Sequence, residues 1–498
     1  MVLIEPPDAG ASGPRGSHRD ALFVVTAALV VRLAIVAWAG SRFPAVEDGK
    51  YYDVLARRLA AGAGYTWAWP DGTVTYAAHY PIGYPALLAI AYKLFGLHAA
   101  VAMMVNALLG AAGAYAGYWV VAESNAAPWR PLAAGLAIAV HPALVPYAAA
   151  VMTEGVTASL LVCATALAAR ARTRDVSEMS GWPWAIGGGL VLGAATLVRP
   201  QSLLLAPVLG LLATRPEGSV FQRLGRAAVI TAVALACATP WTLRNCVRMQ
   251  RCVAVSANGG WNLLVGAQTA TGAWEPLVVP AECDRVWDEA AKDACFGSVA
   301  RRDIAAAPLR WLLGAPAKLG ATFDYFGAAP WYLNASNPIA FGPRRKAQLG
   351  AVEIVSCRLM LLAAIVVCGR LEGPYALARK IVALGGAVAA LTVHGWVGYA
   401  IVAACVAMLG PGGWAKAPIA VPIAAAMVAI TAIVHAVFFG AGRYGLVVTP
   451  FVAMLAFVPL RRRGSRSTML AVDAARAIAG RASVRQEESP SSTEHNAG

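Results

Sequence analysis

The sequence predicts an all-α protein, a polytopic transmembrane helix bundle of about 12 spans with two long outer loops. Three observations predict it. Only 13% of the 498 residues are charged, against about 25% in a typical soluble chain. Hydrophobic residues make up 59% of the chain, and its mean hydropathy is +0.59. Polar residues fall in short blocks between apolar runs of about 20, the length that crosses a hydrocarbon core. One bundle can therefore absorb most of a chain that would otherwise suggest several soluble domains.

The net charge of +15 does not point to nucleic acid. No basic stretch is interleaved with aromatics as single-strand binders require. Lys and Arg in short loops instead orient spans, with the basic loops cytoplasmic.

The first apolar run, 21–40, ends in Ala37-Trp38-Ala39, a match to a signal-peptidase site. The run is longer than a usual signal core and carries Arg32 at its middle, so it reads as an uncleaved first span. A mid-span charge needs a partner or a wet cavity, and Glu154 is a candidate partner for Arg32. Further runs fall near 99–121, 132–149, 154–171, 184–200, 202–213, 227–243 and 354–370. The stretch 381–409 is too long for one straight span and reads as a tight hairpin. Runs near 418–438 and 445–460 close the bundle.

Four basic clusters follow or separate these runs: Arg170, Arg172 and Arg174; Arg215, Arg223 and Arg226; Arg379 and Lys380; Arg461, Arg462 and Arg463. All four are cytoplasmic if the N-terminus is too. The expected organisation is then a cytoplasmic segment 1–20, a transmembrane core 21–243 containing the outer loop 41–97, a large periplasmic loop 244–353, transmembrane helices 354–460 and a disordered cytoplasmic tail 461–498. Cys283 and Cys295 share the large loop, where a disulfide is plausible, and Cys246 with Cys252 is a weaker second pair.

The first loop opens Val46-Glu47-Asp48-Gly49-Lys50-Tyr51-Tyr52-Asp53, with adjacent carboxylates just past the membrane exit. Tyr51, Leu55 and Leu59 then recur at helical spacing, as in a helix lying on a bilayer surface. Tyr80-Pro81-Ile82-Gly83-Tyr84-Pro85 precedes the apolar run 86–97. Two prolines and a glycine at its start suit a juxtamembrane or re-entrant helix better than a regular span. An isolated acidic pair at a span edge is more often a boundary marker than a catalytic group. What surrounds this pair shifts that balance.

The string Asp48-x-x-Tyr51-Tyr52-x-x-x-Ala56-x-x-Leu59-x-x-Gly62-x-Gly64-Tyr65, followed by Pro81-x-Gly83-Tyr84-Pro85 and Leu94-Phe95-Gly96, resembles the first outer loop of GT-C glycosyltransferases. The nearest subgroup is the bacterial relatives of protein O-mannosyltransferases and of the aminoarabinose transferase (glycosyltransferase family 39-like). Pro142 and Met152-Thr153-Glu154, Leu197-Val198-Arg199-Pro200, Pro240-Trp241-Thr242-Leu243-Arg244-Asn245, Asn258-Gly259-Gly260-x-Asn262-Leu263 and Gly442-Arg443-Tyr444 are similar to later elements of that family, in the same order. The resemblance covers about residues 20–460.

The resemblance implies a GT-C-like bundle in a bacterial inner membrane that moves a sugar from a polyprenyl-phosphate carrier to a hydroxyl of a lipid, glycan or protein on the periplasmic side, with inversion. Such a reaction needs a carboxylate to take the acceptor's proton. Asp48 is the first choice and Glu47 the fallback. It also needs fixed cations for the departing phosphate, and Arg199, Arg244 and Arg443 all fall at outer span ends. Family members often carry Arg or Lys before a Pro-Pro pair. That place here reads His79-Tyr80-Pro81-Ile82, which leaves the basic contact to His79 or to an arginine elsewhere. Tyr80 and Tyr444 join the expected substrate contacts, and Glu154, at an outer span end, could orient the site. No cofactor beyond the lipid-linked donor and no metal is expected, since one acidic pair is too few ligands for a divalent-metal cage.

His141, His394 and His435 read as core histidines. Asp324 is a speculative acceptor contact. Trp261, Trp274, Trp287, Trp311 and Trp331 suit interfacial anchoring better than sugar stacking. Two other classes compete. A transporter or flippase would show related halves with paired broken segments, and none is visible. An O-antigen ligase-like enzyme leans on Arg and His in its large loop, and 244–353 contains no His.

Overall fold

The computed structural model describes residues 16–124, 126–174, 181–324, 327–392 and 394–459. The expected tail 461–498 and most of the expected N-terminal segment 1–20 lie outside the described residues. Helix α1 (His18–Ala39) begins where the Ser17 hydroxyl accepts from the Arg19 and Asp20 amides. The first long segment holds α2 (Asp48–Ala60), a hairpin of β1 (Thr66–Ala68) and β2 (Val74–Tyr76), and α3 (Gly83–Phe95). The strands are antiparallel with Thr66 opposite Tyr76, and the Asp71 carboxylate accepts from the Thr73 amide in their turn.

Next come α4 (Ala99–Ala122), α5 (Trp129–Ala139), α6 (Glu154–Thr173), α7 (Trp182–Val198), the short α8 (Ala206–Leu212) and α9 (Val220–Arg248), which opens on a Ser219–Gln222 capping box. The second long segment folds into α10 (Gly259–Gln268), α11 (Ala281–Asp284), α12 (Glu289–Ala306), α13 (Pro308–Leu313), α14 (Ala315–Phe323) and α15 (Ala328–Ser336). The chain then forms α16 (Pro343–Arg370), α17 (Ala376–Ala390), α18 (Trp396–Ala407), α19 (Gly410–Lys416), α20 (Ala420–Val437), α21 (Gly442–Gly445) and α22 (Thr449–Ala456).

This is a mostly helical polytopic membrane fold. Among the described residues six helices, α1, α4, α6, α9, α16 and α20, are long and apolar enough to cross a membrane, and α18 with α19, bent by 94°, makes a seventh if counted as one span. The expected count of about 12 is not reached by length and composition. Apolar runs do not all become long helices, because Pro and Gly interrupt them. The run 132–149 gives an α5 of 11 residues before Pro142, 202–213 a seven-residue α8 after a 3-10 turn at Pro200–Leu205, and 445–460 an eight-residue α22. The run 381–409 is divided between α17 and α18, which pack on each other.

Two further expectations change. On α2 the buried face is Tyr52, Leu55 and Ala56, while Tyr51 is 46% exposed, so the stripe is rotated from Tyr51, Leu55 and Leu59. Arg32 is buried but does not pair with Glu154. It donates to the carbonyls of Ala139 (2.6 Å), Ile138 (3.2 Å) and Ala28 (3.3 Å). Ile138 and Ala139 end α5, where the last carbonyls have no helical donor and carry partial negative charge. Arg32 thus caps a neighbouring helix. Cys283 is disulfide-bonded to Cys295 and Cys246 to Cys252.

Two glycines decide where the first long segment sits. A Cβ on Gly49 would stand 2.7 Å from the Val151 carbonyl oxygen, and one on Gly83 would stand 2.5 Å from the Leu197 carbonyl carbon. Both separations are below van der Waals contact, so only glycine lets α2 approach the start of α6 and α3 the end of α7 this closely. Asp48 is thereby drawn toward Glu154, and Tyr80 toward the end of α7.

Candidate functional site

The sequence places charge at helix ends. Asp48 is the first residue of α2, Glu154 the first of α6, Arg199 follows the last residue of α7, and Arg443 lies in α21 just past α20. The fold brings these ends together. Arg443 Nη2 meets Asp48 Oδ2 at 2.7 Å, and its Nε lies 3.5 Å from Glu154 Oε1. Arg199 Nη2 reaches the same Glu154 oxygen at 2.9 Å. The Tyr147 hydroxyl donates to Glu154 Oε2 at 2.7 Å. Two carboxylates and two guanidiniums so form one chain of contacts, Asp48–Arg443–Glu154–Arg199.

Burial ranks the carboxylates. The Glu154 side chain is 1% exposed and that of Asp48 32%. Glu154, held by two arginines and a tyrosine, is fixed in the protein. Asp48 faces partly outward. Its neighbour Glu47 caps α2 with φ 52° and ψ −137°, a left-handed backbone that is costly for a side chain with a Cβ. That turn leaves Glu47 exposed while Asp48 points at Arg443.

Aromatic side chains close the site. The Tyr80 hydroxyl donates to Asp48 Oδ1 at 3.2 Å, and its ring lies against Tyr51 and Tyr52, with centroids 5.3 and 5.1 Å away. Tyr444 lies under both arginines, 4.9 Å from the Arg199 guanidinium and 5.2 Å from that of Arg443. His435 stacks on its ring at 4.2 Å, while its Nδ1 is 2.9 Å from the Phe439 carbonyl oxygen. His79 packs its ring on Tyr80 and Trp261.

Burial alone pushes the Asp48 carboxyl up. The Arg443 charge and hydrogen bond, the Tyr80 hydroxyl and the nearby His79 together outweigh it and hold Asp48 below its usual range. Burial, then the charge of Asp48, pushes the Tyr80 phenol far up, so it stays a proton donor.

Asp48, Glu154, Arg199, Arg443, Tyr80 and Tyr444 therefore share one cluster, with His79 beside it. Arg244 is not among them. Its guanidinium donates to the Ala77 and Tyr65 carbonyls at 2.8 Å each and stacks on Trp241, binding α9 to the hairpin. Asp324 accepts from the Trp396 amide at 2.6 Å and from Arg358 at 3.4 Å, tying α14 to α18 and α16. Sequence reasoning missed Tyr147, whose only signal is its place one helical turn or two before Glu154, just after Pro146. Among the described residues no group of three or more His, Cys, Asp or Glu side chains could hold a metal ion.

A small, mainly apolar cleft of about 30 Å³ begins beside Arg199 and Tyr444. Leu161, Leu205, Met427, Ile430 and Val434 line its walls, so it runs between α6 and α20 away from the charges.

No family model and no curated protein sequence matches the chain. Its structure matches those of two GT-C glycosyltransferases at low identity. One is the archaeal oligosaccharyltransferase AglB from Archaeoglobus fulgidus, in complex with an inhibitory peptide and a dolichol-phosphate. It is 13% identical, with 95% of this chain and 52% of that chain covered and a TM-score of 0.44. The other is ArnT from Cupriavidus metallidurans bound to undecaprenyl phosphate, 16% identical, with 87% and 76% covered and a TM-score of 0.36. The chain spans about half the length of the archaeal enzyme.

Proposed function

We propose that this chain is a membrane glycosyltransferase that moves a sugar from a polyprenyl-phosphate carrier to a hydroxyl acceptor. The observation that carries this reading is the contact chain Asp48–Arg443–Glu154–Arg199, gathered from remote parts of the sequence at the mouth of an apolar cleft. A lipid-linked sugar phosphate presents the complementary set: an anionic phosphate, a polar sugar and an apolar tail.

Asp48 is the proposed base. It is ionised, partly exposed, and bonded through Oδ1 to Tyr80. It takes the acceptor hydroxyl's proton as that oxygen attacks the anomeric carbon, and the carbon–phosphate oxygen bond breaks with its electrons on the phosphate. Attack from the face opposite the leaving group inverts the centre. Arg199 and Arg443 meet the charge growing on the leaving phosphate, where a guanidinium fork matches phosphate oxygens. Two carboxylates and two guanidiniums cancel in the resting site. An incoming phosphate must therefore compete with a carboxylate for Arg443, and Asp48, the more exposed, is the one to yield. That exchange leaves Asp48 free for the acceptor. Glu154 keeps both arginines in place, and His79 stands near enough to Asp48 to join the phosphate contacts. Leu161, Met427 and Val434 give the tail an apolar path beside Arg199. Glu47, exposed beside the site, is the weaker candidate for the base.

The proposed setting is a bacterial inner membrane with this site outside. Arg170 and Arg172 stand toward the far end of α6 from Glu154, about 25 Å away at 1.5 Å per residue. That separation suits a cytoplasmic basic face and an external site.

The test is product formation. Purified protein is incubated with radiolabelled polyprenyl-phosphate sugar and a membrane extract, and in parallel placed in sealed vesicles. Label passing to an acceptor supports the transferase. Uptake of label into vesicles without transfer supports a transporter and overturns it.

A further inference from the structure

We propose that Glu289 is a positioning residue that sets Tyr80 against Asp48, an inference that rests on Asp48 being the base. Glu289 belongs to the second long segment, far from Asp48 in sequence, and is the first residue of α12. Its carboxylate reaches across to the first segment. Oε1 accepts from the Trp67 indole at 2.5 Å. Oε2 accepts from the consecutive backbone amides of Ala78 at 2.5 Å and His79 at 2.7 Å. These are the two residues before Tyr80.

The stretch Ala77–His79 has no regular secondary structure to satisfy it. The Ala77 amide donates to the Tyr65 carbonyl, and the other polar groups are met from the second segment and the end of α9. Arg244 donates to the Ala77 carbonyl and the Ala257 amide to that of Ala78. Glu289 takes the two amides. A third grip comes from the Tyr65 hydroxyl, which donates to the Tyr80 carbonyl at 2.8 Å. With its backbone held and its ring packed by Tyr51 and Tyr52, Tyr80 sets its hydroxyl against Asp48.

Glu289 is itself held. The Asp288 side chain caps α12 through the Ala291 amide, and the Cys283–Cys295 disulfide ties the approach to α12 to its second turn. A carboxylate suits this place because it only accepts, and three donors converge on it. A glutamine could take the two amides with its oxygen but would turn its NH2 toward the Trp67 donor. Glu289 touches neither Asp48 nor Arg443. It acts on the base through Tyr80.

The test compares Glu289→Ala, Glu289→Gln and Tyr80→Phe singly, and Glu289→Ala with Tyr80→Phe together, in the intact protein in detergent or vesicles. Hydrogen exchange at 77–82 is measured beside transfer kinetics. Glu289→Ala is expected to speed exchange there and to lower kcat about tenfold, the scale of one hydrogen bond to a charged group, with donor KM within about twofold. Glu289→Gln falls between it and wild type. In the Tyr80→Phe background the same substitution should change kcat by less than about twofold, since both act through one contact. A full-sized additional loss in that background, or an unchanged kcat with faster exchange, overturns the positioning role. If Glu289→Ala does not fold, Glu289→Gln carries the same comparison. Wild type without transfer sinks the proposed function itself, whereas active wild type with an indifferent Glu289→Ala sinks only this inference.

Discussion

Arg443 Nη2 and Asp48 Oδ2 stand 2.7 Å apart although their residues lie near opposite ends of the chain. The pair joins the segment after the first apolar helix to the segment before the last one. Both residues must therefore be on the same side of any membrane the bundle crosses. Glu154 extends the pair to Arg199, so one ion network links α2, α6, α7 and α21.

Asp48→Asn keeps the shape of the side chain and removes its charge. Transfer should fall by about 10² to 10⁴, the share of a general base. Glu47→Gln should change the rate only slightly, because Glu47 is exposed and turned from the arginines. Initial rates with labelled donor separate the two.

Arg199→Lys keeps the charge and loses the fork. Glu154 then keeps Arg443 and Tyr147 as partners, so the fold survives. Donor KM should rise about tenfold or more, as expected when a bidentate phosphate contact becomes a point charge. Binding of polyprenyl phosphate, followed by calorimetry, checks it.

Tyr80→Phe removes a hydrogen bond that favours the Asp48 carboxylate. A carboxyl held below its usual range stays ionised until pH falls through that lowered value. Without Tyr80 the value rises, so the acid limb of kcat/KM must move to higher pH. A limb that stays put, or moves down, would separate Tyr80 from Asp48.

Arg32→Ala should cost stability rather than chemistry. It leaves the carbonyls of Ile138 and Ala139 without their donor inside the bundle. Each buried group left unpaired costs about 1–3 kcal/mol. The unfolding midpoint in detergent should drop by several degrees, while the folded fraction keeps its donor KM.

Much of this arrangement is written locally. Asp48, Arg199 and Arg443 are each charged residues at the end of an apolar run, and Glu154 opens another such run. A period and a charge suffice to find them. Their partners are not local. Tyr147 meets Glu154 across a 3-10 turn, and Glu289 meets His79 across two long segments. The Glu289 contact leaves no trace in spacing, and that of Tyr147 only a faint one. Arg244 shows the converse: its position at a span end resembles that of Arg199, yet nearby carbonyls and Trp241 claim it. Charge alone pairs Arg32 with Glu154, but the carbonyls ending α5 hold it instead. The count of about 12 spans is not reached by helix length for a related reason, since Pro142, Pro200 and Pro450 interrupt helices that hydropathy alone would extend.

The most direct test of the central claim is a transfer assay with labelled polyprenyl-phosphate sugar on wild type and Asp48→Asn, with polyprenyl-phosphate binding measured on the same preparations. Transfer by wild type, its loss in the variant and unimpaired phosphate binding in both are the predicted results. Undiminished transfer by Asp48→Asn would contradict the account.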